Sequence, residues 1–292
     1  MSDVVLALDG LVAGYGAAAP VLRGVSLQVR RGEVVCLVGP NGAGKSTVLK
    51  VASGMLAPRE GAVRLQGADV TAQSPHRLLH RGLAHVLQGH SVFPDMTVGE
   101  NIRMGAYTLR DRAVLTERVE RVRATFPVIA ERWKTTAGLL SGGQQKMVEF
   151  GRALMLDPVV ILLDEPSMGL DPKTTATVFS QIDRLREIGK AVLLVEQNAR
   201  RALEMADRGC VLDLGSIHVE GPAQDLLADP SLGRLYLGGG PVATDGKDQQ
   251  TAANGAGGPV GASTDVEGRP GAATDAGDAG PAATATSSEN DT

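Results

Sequence analysis

Apolar residues in this chain fall into short runs that alternate with helical stripes, and the alternation persists to about residue 240. VVLALDGLVAGY (4–15), GVSLQV (24–29) and EVVCLVG (33–39) are short and rich in β-branched residues, which predicts strands. AVRLQG (62–67) predicts another short strand and LAHVLQ (83–88) a buried one. VVILLDEP (159–166) and AVLLVEQ (191–197) are almost continuously apolar before their polar ends, as central parallel strands covered on both faces require. A helix is expected from Gly44 to about Ala52. Over 109–126, Leu115, Val119, Val122 and Phe126 recur at helical spacing, and Pro127 ends the run. Val178, Ile182 and Leu185 stripe a later helix, with Gly189 as its C-cap. This alternation predicts an α/β sheet whose ligand site lies at its carboxyl edge.

From 241 to 292 the pattern stops. Twelve Ala, nine Gly and only three large aliphatics (Val242, Val260, Val266) occupy 52 positions. Such a segment cannot bury enough apolar surface to offset its ordering entropy, so a disordered tail beside a 1–240 domain is expected. The tail holds eight acids and two bases, so the chain's net −4 divides into −6 there and +2 over the first 240 residues. That near-neutral body argues against a dedicated nucleic-acid binder. Cys36 (VVCLVG) and Cys210 (RGCVLDL) sit in apolar runs and read as buried, reduced thiols. No N-terminal stretch pairs a basic segment with an apolar one, and no apolar run approaches the roughly 18 residues of a membrane helix. A soluble, cytoplasmic chain is expected, one that reaches a membrane only by docking onto another subunit.

GPNGAGKST (39–47) follows an apolar strand and opens a helix, with Gly39, Gly44, Lys45 and Ser46 in the fixed places of a phosphate-binding loop. Gly39, Pro40, Asn41, Gly42, Ala43 and Gly44 would turn successive amides towards phosphate oxygens, helped by the helix N-terminus. Lys45 would lie between the β- and γ-phosphates, Ser46 would ligate Mg²⁺, and Thr47 completes the ATP-binding run. Asp164 and Glu165 end the strand VVILLDEP. The first would hold the metal through water and the second would act as general base on the attacking water.

Between these motifs stands LSGGQQKMVEFGRALMLDP (140–158), and with it the chain resembles the ATPases of ABC transporters, whose signature is LSGGQ. The likeness covers about residues 4–237. It implies a P-loop NTPase (RecA-like) α/β core with an antiparallel β subdomain and a smaller helical subdomain at about 89–158. It also implies that Ser141, Gly142, Gly143 and Gln144 contact ATP held by an opposite protomer, so that two sites form in a head-to-tail dimer. Tyr15 resembles the aromatic that stacks on adenine. Gln88 resembles the glutamine that joins Mg²⁺ and the attacking water to the membrane partner. SMGLD (167–171) resembles the loop whose backbone and Asp171 cross the dimer interface. Gln197 stands where the family usually has a histidine. It can donate a hydrogen bond to γ-phosphate but cannot carry a charge.

VEQNA, RALEMADRG, VFPDMTVGENI and the terminal LYLGG (235–239) narrow the likeness to one of the two ATPases of LIV-type branched-chain amino-acid importers. Urea and amide importer ATPases share VEQ and stay open as alternatives. A soluble ABC ATPase acting on ribosomes or DNA is a third, less favoured because only 96 residues separate Lys45 from Ser141 and no long heptad array intervenes. The resemblance implies transmembrane permease subunits, which would dock a short helix near residues 89–140, a second ATPase of the same or a different kind, and, indirectly, a periplasmic or extracellular binding protein. The expected place is the cytoplasmic face of the cell membrane.

Overall fold

The computed structural model describes residues 3–89, 91–230 and 232. The LYLGG run and the acidic tail lie outside them.

β1 (Val4–Ala13) pairs antiparallel with β2 (Leu22–Arg30). β3 (Val34–Val38) leads through the loop 39–44 into α1 (Lys45–Ala52). β4 (Glu60–Leu65) and β5 (Ala68–Asp69) join β1 and β2 in a four-stranded antiparallel sheet of order β2-β1-β4-β5. The expected strand 62–67 thus begins and ends two residues early. Gln66 and Gly67 both take positive φ (50° and 80°), the two-residue hairpin turn that matches strand twist.

α2 (Pro75–His80) precedes β6 (Leu83–Val86). A helical stretch follows, comprising α3 (Val98–Met104), α4 (Arg112–Thr125), α5 (Pro127–Glu131), a 3-10 turn at Ala137–Leu139 and α6 (Gly142–Leu154). α4 starts later than residue 109 because the Asp111 carboxylate accepts from the Ala113 and Val114 amides and fixes the cap there. Pro127 ends α4 and also opens α5, where its missing N–H costs nothing.

β7 (Val160–Asp164), α7 (Pro172–Glu187), β8 (Ala191–Val195), α8 (Ala199–Met205), β9 (Arg208–Asp213), β10 (Ser216–Pro222) and α9 (Ala223–Ala228) complete the chain. Gly189, at φ 79°, follows α7 as its left-handed terminator. The second sheet runs β10-β9-β3-β8-β7-β6, parallel except for β10.

β3, β7 and β8 are buried at every position, and their side chains divide between two cores. Val35, Leu37, Leu162, Leu193 and Val195 face the antiparallel sheet and α1. Cys36, Val38, Ile161, Leu163, Val192 and Leu194 face the helices. The period-two strand explains why near-continuous apolar runs are needed. Cys36 and Cys210 are both buried and free, and they belong to opposite faces. Burial pushes the Cys210 thiol up to about 12. No described helix is long and apolar enough to cross a membrane.

Candidate active site

The loop between β3 and α1 is shaped by contacts that only glycine permits. At Gly39 (φ 154°) a Cβ would lie 2.0 Å from the Leu212 carbonyl oxygen, and at Gly44 (φ 108°) it would press on Leu22 at 2.8 Å. Gly44 is also the N-cap of α1, with no side chain covering the helix end. Pro40, Asn41 and Gly42 form the exposed lip of the loop, while Ala43 is buried. The Lys45 ammonium donates to the carbonyls of Gly39 (2.8 Å) and Pro40 (3.0 Å). Its burial lowers its pKa, against the pull of Glu165 and Asp164, whose carboxylates face it. A cation held inside a curl of backbone, at an uncovered helix start, suits a polyphosphate.

Ser46 Oγ donates to Asp164 Oδ1 at 3.2 Å, which ties the first turn of α1 to the end of β7. Burial raises the Asp164 pKa, partly offset by the Ser46 bond, and the neighbouring Glu165 charge raises it further. Glu165 is the next residue and takes φ 46°, a conformation costing a non-glycine residue about 1–3 kcal/mol. Its amide still continues the ladder to the Val195 carbonyl at 2.9 Å, and then the chain turns. Gln88, just beyond β6, donates through Nε2 to Glu165 Oε2 at 2.8 Å, and the same nitrogen lies 3.1 Å from Met168 Sδ. A carboxylate only accepts, so the amide carbonyl of Gln88 is left for another partner.

Ser46, Asp164, Gln88 and Glu165 offer hard oxygens, the donor chemistry of Mg²⁺. Among the described residues no group of three or more His, Cys, Asp or Glu could hold a metal unaided.

Gln197 and Glu165 line one cleft of about 590 Å³, with Ser167, Met168, Asn198 and Arg201. Tyr15 is half-exposed beyond the end of β1; its hydroxyl lies 3.4 Å from Thr47 Oγ1, and the Lys50 ammonium sits 5.5 Å above its ring. Ser141 caps α6: its Oγ accepts from the Gln144 amide (3.4 Å), and Gln144 Oε1 accepts from the Ser141 amide (3.2 Å). The amides of Gly142 and Gly143 remain as the ones that helix geometry leaves unpaired. Asp171 Oδ1 caps α7 by accepting from Lys173 (3.0 Å) and Thr174 (3.1 Å). Among the candidates, Tyr15, the 39–47 loop, Asp164, Glu165 and Gln88 form one connected set. Ser141–Gln144 and Asp171 are occupied with the starts of their own helices.

Two features escaped sequence reasoning. Glu196, buried, accepts from the Ser167 amide at 2.9 Å and so joins β8 to the loop before α7, and burial raises its pKa. Arg59 donates to the Gly16 and Ala18 carbonyls (2.9 and 2.8 Å) and holds the loop that follows Tyr15. The first left one signal, an acid beside Gln197 at the end of an apolar strand. The second left none.

A lysine-bearing glycine loop that opens a helix, with two consecutive acids beside it at the carboxyl edge of a parallel sheet, is the arrangement of a P-loop nucleotide hydrolase. The ABC transporter family model matches residues 22–168, and the chain belongs to that family as one of its ATPases. It is 40% identical over 228 residues to the high-affinity branched-chain amino acid transport ATP-binding protein BraG of Pseudomonas aeruginosa, covering 78% of this chain and 97% of that protein. It is 36% identical to the probable branched-chain amino acid transport ATP-binding protein LivF of Archaeoglobus fulgidus, over 78% of this chain and 96% of that one. The fold is similar to the ADP conformation of MJ1267, an ATP-binding cassette of an ABC transporter, with a TM-score of 0.73, 30% identity and coverage of 82% of this chain and all of that one.

Proposed function

We propose that this chain powers uptake of branched-chain amino acids, as a peripheral subunit at the cytoplasmic face of the membrane. It would bind permease subunits and pair with a second ATPase, homologous or identical. The observation that carries the reading is the carboxyl-edge junction, where Ser46 meets Asp164 and Gln88 meets Glu165. The names of BraG and LivF support the substrate class.

In this reading Tyr15 stacks on adenine and the amides of 39–44 with Lys45 grip the phosphates, with Thr47 alongside. Ser46, Asp164 and Gln88 would hold Mg²⁺, which neutralises phosphate charge. Glu165 takes the proton of the attacking water as its oxygen bonds to the γ-phosphorus and the bond to the β-bridging oxygen breaks, releasing ADP. Gln197 donates a hydrogen bond to the γ-phosphate. Ser141, Gly142, Gly143 and Gln144, with Asp171, close the site of the opposite copy.

The test has two arms. Glu165→Gln protein saturated with Mg-ATP should pair, with itself or with its companion ATPase, in size-exclusion chromatography; failure to pair under both conditions rejects the sandwich. Cells lacking the chain should lose uptake of labelled leucine or valine, and loss of urea uptake instead moves the substrate to the amide class.

A further inference from the structure

We propose that Glu196 is a positioning residue, a buried acid that holds the strained turn of the base Glu165 against the end of β8. This rests on the site assignment above and goes beyond it.

Glu196 directly follows β8 and is 2% exposed. Burial raises its pKa, the bonds from Ser167 and Gln197 draw it back, and the Glu165 charge raises it again. Among the described residues no lysine or arginine pairs with it. A buried acid without a counter-ion is costly unless hydrogen bonds satisfy it, so the groups that satisfy this one locate its role.

Both groups are backbone amides. Oε1 accepts from the Ser167 amide at 2.9 Å and Oε2 from the Gln197 amide at 3.2 Å. Glu165, Ser167 and Gln197 line one cleft. A single planar carboxyl group thus ties the strand end that carries Gln197 to the turn that carries Glu165.

That turn needs a tie. Glu165 holds φ 46°, a left-handed conformation that persists in a non-glycine residue only where its surroundings impose it. The amides of the turn show what imposes it. Glu165 donates to the Val195 carbonyl (2.9 Å), Pro166 has no N–H, Ser167 donates to Glu196, and Met168 donates back to the Glu165 carbonyl (3.1 Å). Two of these three bonds end on the consecutive residues Val195 and Glu196. The first is a backbone bond, which almost any sequence supplies. The second depends on one side chain, so the identity of residue 196 decides whether the turn is held on both sides of its strained residue.

Without that bond Glu165 keeps its carboxylate but loses the fixed direction from which it takes the proton of water. A misplacement of about 1 Å costs on the order of 10²-fold in rate. Adenine and the other phosphates are gripped elsewhere, by Tyr15 and the 39–47 loop, so affinity should not follow.

The test is full-length Glu196→Leu, assayed with its companion ATPase if turnover needs one. kcat should fall roughly ten- to a hundredfold, while ATP and ADP affinities of the single copy stay within about twofold. Glu196→Gln keeps an acceptor for the Ser167 amide and should recover most of the turnover. In the Glu165→Gln background, where no base remains to be placed, Glu196→Leu should lower the residual single-turnover rate by no more than about threefold.

Parental kcat in Glu196→Leu overturns the proposal, and so does a Glu196→Gln variant as slow as Glu196→Leu. Equal losses in the parent and Glu165→Gln backgrounds, or a fall in affinity that matches the fall in kcat, mark a merely structural acid and overturn it too. If Glu196→Leu aggregates, Glu196→Ala, which removes the same acceptors with less bulk, decides by the same measurements. A Glu165→Gln protein that hydrolyses ATP at the parental rate sinks the base assignment itself, whereas an inactive one beside an unimpaired Glu196→Leu sinks only this inference.

Discussion

Gln88 and Glu165 stand 77 residues apart in sequence and meet through one hydrogen bond, Gln88 Nε2 donating to Glu165 Oε2 at 2.8 Å. The bond joins the end of the edge strand β6 to the turn after β7, and it occupies one carboxylate oxygen of the proposed base. Glu165→Gln removes the base while keeping a group of the same shape. kcat should fall about 10²–10⁴-fold, with ATP affinity little changed. Steady-state hydrolysis and nucleotide titration measure the two quantities separately.

The phosphate loop should tolerate no side chain at Gly39. A Cβ there meets the Leu212 carbonyl at 2.0 Å and must also adopt φ 154°. Gly39→Ala is expected to destabilise the domain by roughly 2–3 kcal/mol and to abolish ATP binding. Urea denaturation and nucleotide titration check this.

Tyr15 offers an exposed ring next to Thr47 and Lys50. Loss of a base–aromatic stack costs about 1–3 kcal/mol, so Tyr15→Ala should weaken ATP about tenfold or more. Tyr15→Phe should bind like the parent. Equal losses in both variants would point to the hydroxyl rather than the ring.

Gln197 can contribute one neutral hydrogen bond, worth about 0.5–1.5 kcal/mol net. Gln197→Ala should therefore reduce kcat roughly two- to tenfold, and Gln197→His should introduce a titration near neutral pH. Parental turnover in the alanine variant removes Gln197 from the mechanism.

His85, in β6, is held down at about 4 by burial, with the Lys50 charge adding to the effect, and its Nδ1 lies 3.1 Å from Ser53 Oγ. Between its ordinary 6.5 and about 4 the unfolded chain binds a proton that the folded chain does not. Stability is thus full above about pH 6.5 and declines as pH falls through that window. His85→Gln should remove on the order of 1–2 kcal/mol of the loss between pH 7 and pH 5, measured by urea denaturation at both values.

The central strands were legible because a strand covered on both faces must be apolar at nearly every position, as in Val34–Val38, Val160–Asp164 and Ala191–Val195. The phosphate loop, Asp164 and Glu165 were legible because their chemistry depends on neighbours in sequence. Element edges were less so: Gln66 and Gly67 carried apolar-strand context into a turn, and the Asp111 cap moved the start of α4.

The order of residues along the chain by itself determined the loop 39–47, the acids at the end of β7 and the serine-glycine start of α6, since each is built from consecutive residues with local geometry. Only the tertiary structure decided that Gln88 reaches Glu165, that Glu196 holds Ser167, and that Lys146 and Glu149 grip Gly89 and Ser91. Those contacts depend on which strands lie side by side in the sheet and on how α6 lies against the loop after β6. A buried charge shows in sequence only as a polar residue on an apolar face, and its partner is named by packing.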